Sequence, residues 1–309
     1  MNALFRAVGL SKQAYHQQAK RAAAFETQKQ ALFLLVDAYR SHHAGCGVAK
    51  LYDTLNPSWL GRDRFCDLLL SSGYRIRHKP NYTKTTISAE SGYQNLIEGM
   101  LLCGKDQVWQ SDITYYWLGS TFGYIVFIMD IYTKRIVGFS ANDNMREEAN
   151  VRSLAMALRL RGGKVAGLIH HSDKGGQYIY KKYLKMLDDN GAHVSMGLLA
   201  TDNAYAERVN GIIKNEYLAY WEINTLEELR RGVTRAVKHY NTQRIHRSLP
   251  NHSTPVQFEK ELLALPSQKR PKVIVYSEGN RTIRNTANRE GYWPEQMLYT
   301  PACPIATLS

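Results

Sequence analysis

The sequence predicts an α/β protein: a mixed five-stranded sheet with flanking helices, preceded by an all-α region. Three observations lead there. Residues 1–80 carry apolar side chains at helical spacing, separated by short turns. From Asp106 the pattern changes to β-branched and aromatic runs, and Phe122 to Tyr132 is almost continuously apolar, as a strand buried on both faces requires. Beyond Asn144, helical and strand patterns alternate.

A chain of 309 residues has room for two or three domains. With 44% hydrophobic and 22% charged residues it has an ordinary globular composition. No stretch approaches the ~20 apolar residues of a membrane helix. The N-terminus lacks a secretory pattern, so a cytoplasmic location is expected. Cys46, Cys66, Cys103 and Cys303 form no Cys-x-x-Cys pair, which argues against a zinc ribbon or redox motif. They read as free thiols.

Forty Lys and Arg against 27 Asp and Glu give a net charge of +13, which points to a polyanionic partner. Residues 1–105 hold 14 basic and 7 acidic residues, so just over half of the excess lies in the first third. That favours a basic DNA-binding module ahead of a more balanced body.

In that module, residues 1–22 read as two short helices around a turn, the second capped by Ser11 and running to Arg21. Leu32, Leu35, Val36 and Tyr39 mark another helix, and Val48 to Leu55 a further one. Asn56-Pro57-Ser58 is a turn, and a last helix runs from Arg62 to Gly73. Short helices, tight turns and Arg62, Arg64, Arg75, Arg77 and Lys79 suggest helix-turn-helix DNA binding over residues 1–80. A small bundle with a solvated basic face is the alternative. Residues 81–104 read as a linker.

The expected strands are Gln107 to Trp117, Phe122 to Tyr132, Arg135 to Ala141, Val165 to Ser172 and His193 to Met196. The expected helices begin at a capping-box-like Asn144/Glu147, at Ile179, at Tyr205 and at Thr225. The order β-β-β-α-β-α-β-α is that of the ribonuclease-H-like fold, placed at residues 105–250. Residues 251–309 form an extension without a readable motif.

Three acids stand out. Asp112 lies mid-strand and by alternation shares a face with Gln110 and Thr114. A carboxylate inside a central strand is costly unless paired or bound to a cation. Asp173 ends the fourth strand, where ligand sites of open α/β sheets gather. Glu207 lies early in a helix that carries Asn210 and Lys214 on the same face. Phosphodiester transfer needs charge neutralisation and in-line oxygens, which two Mg²⁺ ions supply and which carboxylates hold. Among neighbouring residues, Asp130 reads as a turn cap. One of His170 and His171 is expected to face the core, while the other could approach the metals. Tyr240, Asn241, Arg244 and His246 could grip DNA or pack the last helix.

Four segments occur in order: Trp109 to Tyr115, His171 to Tyr178, Asp202 to Glu216, and Tyr240 to Leu249. In these the chain resembles insertion-sequence transposases of the DDE class, the downstream-frame type with a retroviral-integrase-like core. The resemblance runs from residue 1 to about residue 260. It implies Asp112, Asp173 and Glu207 as catalytic metal ligands for two Mg²⁺ ions, with Mn²⁺ as a substitute, and Lys214 as a DNA contact. It implies water attack at an element end, then transfer of the freed 3′-hydroxyl to another phosphodiester. It further implies terminal inverted repeats and target DNA as partners, multimers on DNA in a nucleoid-associated setting, and an upstream helix-turn-helix frame as fusion or partner. Asn210, Arg244 and His246 join the expected DNA contacts.

The chain departs from the pattern in places. Asp173 and Glu207 are 34 positions apart, slightly short for the family, with the missing residues at Gly197 to Thr201. Arg208 and Asn210 stand where apolar and aromatic residues are expected, and Glu216 is the competing third acid. His42, His43 and Cys46 lack the spacing of the integrase zinc module. Two other readings fit less well: a DNA-binding relic without catalysis, and a nuclease acting on RNA–DNA hybrids.

Overall fold

In a computed structural model, the structure describes residues 11–76, 92–163, 165–173, 180–197 and 200–275. The expected first helix around Leu4 to Val8, the Gly-Gly loop after Asp173, Arg77 and Lys79 lie outside the described residues. The chain divides into two compact units, residues 1–77 and 78–309.

The first unit is helical. Ser11 caps α1, Lys12–His42, by accepting the Ala14 amide at 3.0 Å. The sequence predicts two helices here; the structure has one of 31 residues. Nothing between Arg21 and Leu32 stops a helix: Ala22, Ala23 and Ala24 favour it, and Glu26 accepts bonds from Lys29 at 2.7 Å and Gln30 at 2.9 Å. In α1 only Leu32 and Val36 are buried. They pack with Cys46, with Leu51 of α2 (Val48–Leu55), with Leu60, and with Phe65 and Leu69 of α3 (Arg62–Ser71). Asn56 ends α2 in the left-handed region (φ 41°) and starts the turn into α3. Arg40 ties the unit together by donating to the carbonyls of Cys46 and Tyr74, each at 2.9 Å.

The second unit holds the predicted sheet. Its strands are β2 (Val108–Trp117), β3 (Phe122–Asp130), β4 (Ile136–Asn142), β5 (Ile169–Ser172) and β6 (His193–Met196), after a short β1 (Leu101–Leu102). Their spatial order is β4-β3-β2-β5-β6. The first three form an antiparallel meander, and β5 and β6 run parallel to β2. This is the ribonuclease-H-like arrangement.

Alternation divides the core between the two faces of the sheet. Trp109, Ile128 and Val137 pack under α4 (Glu147–Leu160) and α5 (Lys181–Asp189). Ile125, Phe127 and Met129 pack under α6 (Ala204–Ile212), α7 (Leu226–Thr242) and α8 (Pro255–Ala264). A Cβ at Gly138 would overlap the Ser153 carbonyl, so glycine lets α4 lie close on β4.

Some local expectations change. The helix after Asn144 starts without a side-chain cap: Arg146 occupies the N-cap, and Asn144 accepts the Arg146 amide at 3.0 Å in a turn just before it. Residues Val165 to Leu168 form a turn with Gly167 at φ 77°, so β5 is only four residues long. The helix predicted over Tyr205 to Tyr220 is α-helical only to Ile212, then passes through a π turn (Ile213–Tyr217) and a 3₁₀ turn. After residue 250 the described residues continue to 275 and include a helix and a short strand. Thr254 caps α8 with Pro255 at its first position, and Phe258 and Leu262 enter the core. Strand β7 (Val273–Ile274) then pairs antiparallel with β1. A segment on each side of residues 105–250 thus joins the same compact unit.

An ion-pair network fastens α8 to the start of β2. Arg161, 4% exposed, meets Asp106 at 2.8 Å, Asp130 at 3.6 Å and also Glu259. Glu259 additionally pairs with Arg135 at 2.8 Å and Lys105 at 3.3 Å. Asp130 caps the β3–β4 turn as expected, accepting from the Tyr132 amide and the Thr133 hydroxyl at 3.0 Å each.

Candidate active site

The site is built where β2 faces α6. Gln110 donates to the Asp202 carbonyl at 2.9 Å and accepts the Ala206 amide at 3.2 Å. Two residues on, Asp112 Oδ2 accepts Asn210 Nδ2 at 2.6 Å. Two further on, Thr114 Oγ1 accepts Lys214 Nζ at 3.2 Å. Every second strand residue thus meets every fourth helical residue. Two strand residues advance ~6.6 Å and four helical residues ~6.0 Å, so the two periods nearly match. Asn203 Nδ2 adds a bond to the Ser111 carbonyl at 3.0 Å.

This mating sets the acids. Asp112 projects from β2 and also accepts the Ile113 amide at 2.9 Å. Ser172, the last residue of β5, lies opposite Ser111 in the parallel register, so Asp173 follows beside Asp112. Glu207 lies in the first turn of α6. The Asp112 carboxyl is pushed up to about 7, by burial first, then by the charge of Asp173, with Glu207 adding to it. Hydrogen bonds from Ile113 and Asn210 act in the opposite direction. The three acids therefore share one field. Among the described residues, no three metal-ligating side chains are already drawn to ligand distance. A carboxylate raised by burial and by the charges of two neighbouring acids belongs to a donor set suited to a hard divalent cation.

Lys214 sits in the π turn, with its ammonium 5.1 Å from the Tyr115 ring centroid. Burial lowers its pKa, and the Asp112 charge opposes that shift.

The remaining candidates separate. Asn210, expected to touch DNA, is buried on Asp112 and orients that carboxylate. Arg244 and His246 are likewise buried, at 6% and 7% exposure. Arg244 makes a two-point contact with Glu216, Nε to Oε2 and Nη2 to Oε1, both 3.0 Å. His246 stacks edge-on to Tyr240 at 4.8 Å. Between gripping DNA and packing the last helix, these side chains are placed in packing. Glu216, the competing acid, is engaged by Arg244, while the charge of Glu207 acts on Asp112. Both histidines beside Asp173 face inward: His170 Nε2 is 2.8 Å from the Tyr183 hydroxyl and His171 Nδ1 is 2.9 Å from Ser195 Oγ. Burial is the main reason their pKa values fall, to about 3 and about 4. In the first unit, Arg62, Arg64 and Arg75 are exposed, the first two in the opening turn of α3.

Gln110 and Asn203 were not among the expected site residues. Gln110 was legible as a polar residue on the Asp112 face, whereas Asn203 gave no periodic signal. Two integrase core domain models match the chain, at residues 104–198 and 192–255. The 31 kDa protein of insertion element IS600 from Shigella sonnei is 33% identical over 208 residues, which is 65% of this chain and 76% of that protein. The chain belongs to the insertion-sequence transposases with an integrase core. The transposase of element IS629, also from Shigella sonnei, is 32% identical over 52% of this chain, which spans about half (53%) of that relative. The catalytic core of HTLV-2 integrase, solved in complex with magnesium, is 18% identical over 54% of this chain and 99% of that one, with a TM-score of 0.41. Transposases of this class are metal-dependent DNA polynucleotidyl transferases.

Proposed function

We propose that Asp112, Asp173 and Glu207 hold two Mg²⁺ ions and that the chain cuts the ends of its own insertion element and joins them to target DNA. The observation that carries this reading is the charge coupling of the three acids on the β2–α6 face. Bound magnesium would neutralise the scissile phosphate and polarise the attacking oxygen. Asn210 keeps Asp112 turned toward the shared site. Lys214 adds a cation beside the acids for a neighbouring phosphate. In the first step water attacks the phosphodiester at the element end and a 3′-hydroxyl leaves. That hydroxyl then attacks a second phosphodiester, exchanging one ester for another without a covalent protein intermediate.

In the same reading, Mn²⁺ substitutes for Mg²⁺, and the chain works in the nucleoid as a multimer on paired terminal repeats, with an upstream-frame helix-turn-helix product. Residues 1–80 bind the repeats. Arg62 and Arg64, in the opening turn of α3, would contact base edges and Arg75 a phosphate; Arg77 and Lys79 join them on sequence grounds alone.

The test is incubation of the purified chain with DNA carrying the element's ends in Mg²⁺ or Mn²⁺. Nicked and joined products should form with wild type and vanish with Asp112→Asn and with Glu207→Gln. Products that persist in both variants would overturn this assignment.

A further inference from the structure

The tip of the β2–β3 hairpin carries exposed aromatic residues that the transfer chemistry leaves unused. Trp117 is 45% exposed and Phe122 39%. They are cross-strand partners, with ring centroids 4.8 Å apart at 63°. Tyr115 meets Phe122 edge-on at 5.4 Å. An edge-to-face cluster covers some ring faces and leaves others open. The tip is held firmly from below: Leu118 is buried in the core, its amide donates to the Thr121 carbonyl at 2.8 Å, and the Tyr116 hydroxyl donates to the Leu218 carbonyl at 3.1 Å.

The position matters as much as the exposure. β5 pairs with β2 only over Val108 to Ser111, so among the described residues that edge of β2 has no strand partner beyond Ser111. Asp112 begins this open stretch and Trp117 ends it, the two side chains projecting to opposite faces on either side of the open edge. At ~3.3 Å per residue the two lie ~17 Å apart, about five steps of a stacked nucleic-acid strand. Lys214 links the two ends, at 3.2 Å from Thr114 on the acid face and 5.1 Å from the Tyr115 ring. A cation next to a rigid aromatic shelf suits a strand whose phosphate meets the ammonium and whose base lies on a ring.

We propose that Trp117 and Phe122, with Tyr115 behind them, form a stacking platform for an unpaired DNA base a few nucleotides from the phosphate at Asp112. The inference rests on the transposase reading, but its ligand is simply single-stranded DNA. Bases within a duplex are already stacked and cannot use the platform, so it would favour frayed or splayed element ends.

The measurement is fluorescence anisotropy of the full chain in metal-free buffer, with an oligothymidine of ~15 nucleotides, within the site sizes of such grooves, and a blunt hairpin duplex. Trp117→Leu and Phe122→Leu keep apolar bulk and remove the π face. Each should weaken binding of the single strand about tenfold and leave the duplex within about twofold, while Trp117→Phe restores most of the affinity. Unchanged single-strand binding would overturn the platform, as would equal losses on both DNAs. So would loss of self-association in Trp117→Leu, because the patch would then join two copies of this chain. A joining assay on wild type, run in parallel, separates the two readings. Joining with no stacking effect removes the platform alone, and a stacking effect without joining removes the transposase chemistry alone.

Discussion

Two groups of acids flank the same strand and are treated in opposite ways. At the start of β2, Asp106, Asp130 and Glu259 surround Arg161, with Arg135 and Lys105 beside them. Further along, Asp112 meets the charges of Asp173 and Glu207, with the Lys214 ammonium nearby and the Asn210 amide donating to it. Burial is the leading cause that raises both buried carboxyls, Asp130 to about 6 and Asp112 to about 7. The first group is closed by guanidinium groups that belong to the fold. In the reading proposed above, the second would draw its counter-charge from a cation that arrives from solution. The proposed contrast is therefore one of where each acid's counter-charge comes from.

The largest effect that could break this contrast is in activity. Asp112→Asn should lower strand transfer by about a thousandfold or more, ~4 kcal/mol, yet leave the urea midpoint of the metal-free protein unchanged or raised. A lowered midpoint would put Asp112 with the structural acids. Arg161→Met should do the reverse at the other cluster. Losing the shared cation leaves buried acids unpaired, and the chain should be destabilised by about 3–5 kcal/mol in urea melts.

The pH dependence comes next. The Asp130 carboxyl titrates at about 6 in the fold against 3.8 when unperturbed. Between those values the native state binds more protons than the unfolded chain, so stability falls as pH rises through that window, by about 3 kcal/mol. Asp130→Asn should flatten this slope in melts between pH 4 and 7; an unaltered slope would remove Asp130 as its source. The smallest effect is ligand linkage. Mg²⁺ at a hundredfold excess over its Kd should stabilise wild type by about 2.7 kcal/mol. Asp112→Asn should lose most of that gain in thermal melts, while Asp130→Asn keeps it.

What could be read beforehand follows the range of each interaction. Period-two alternation placed Asp112 with Gln110 and Thr114, and helical spacing placed Glu207, Asn210 and Lys214 together, because both are local repeats. The order of strands and helices gave the fold for the same reason. The bond from Asn210 to Asp112 is out of reach of such patterns because the two are 98 positions apart. Arg244 met Glu216 across 28 positions, and Arg161 met Glu259 across 98. No window on the sequence spans such pairs. The helix expected from Thr225 starts there on a capping box with Glu228, and Thr254-Pro255 is a readable helix start in a stretch otherwise without a motif. Asn144 and Glu147 carried a similar pattern and misled, because the chain turns once more before its helix begins.

The meshing of β2 with α6 also bears on how such chains tolerate change. Three successive contacts, at Ala206, Asn210 and Lys214, index the helix against the strand as teeth index a rack. The gap between Asp173 and Glu207 is 34 positions here, shorter than expected, and the helix is still engaged. The register of the helix on the strand is therefore set by these contacts and not by the length of the loop ahead of it. A single residue inserted between Ala206 and Lys214 would skip a tooth and turn Lys214 away from the acids.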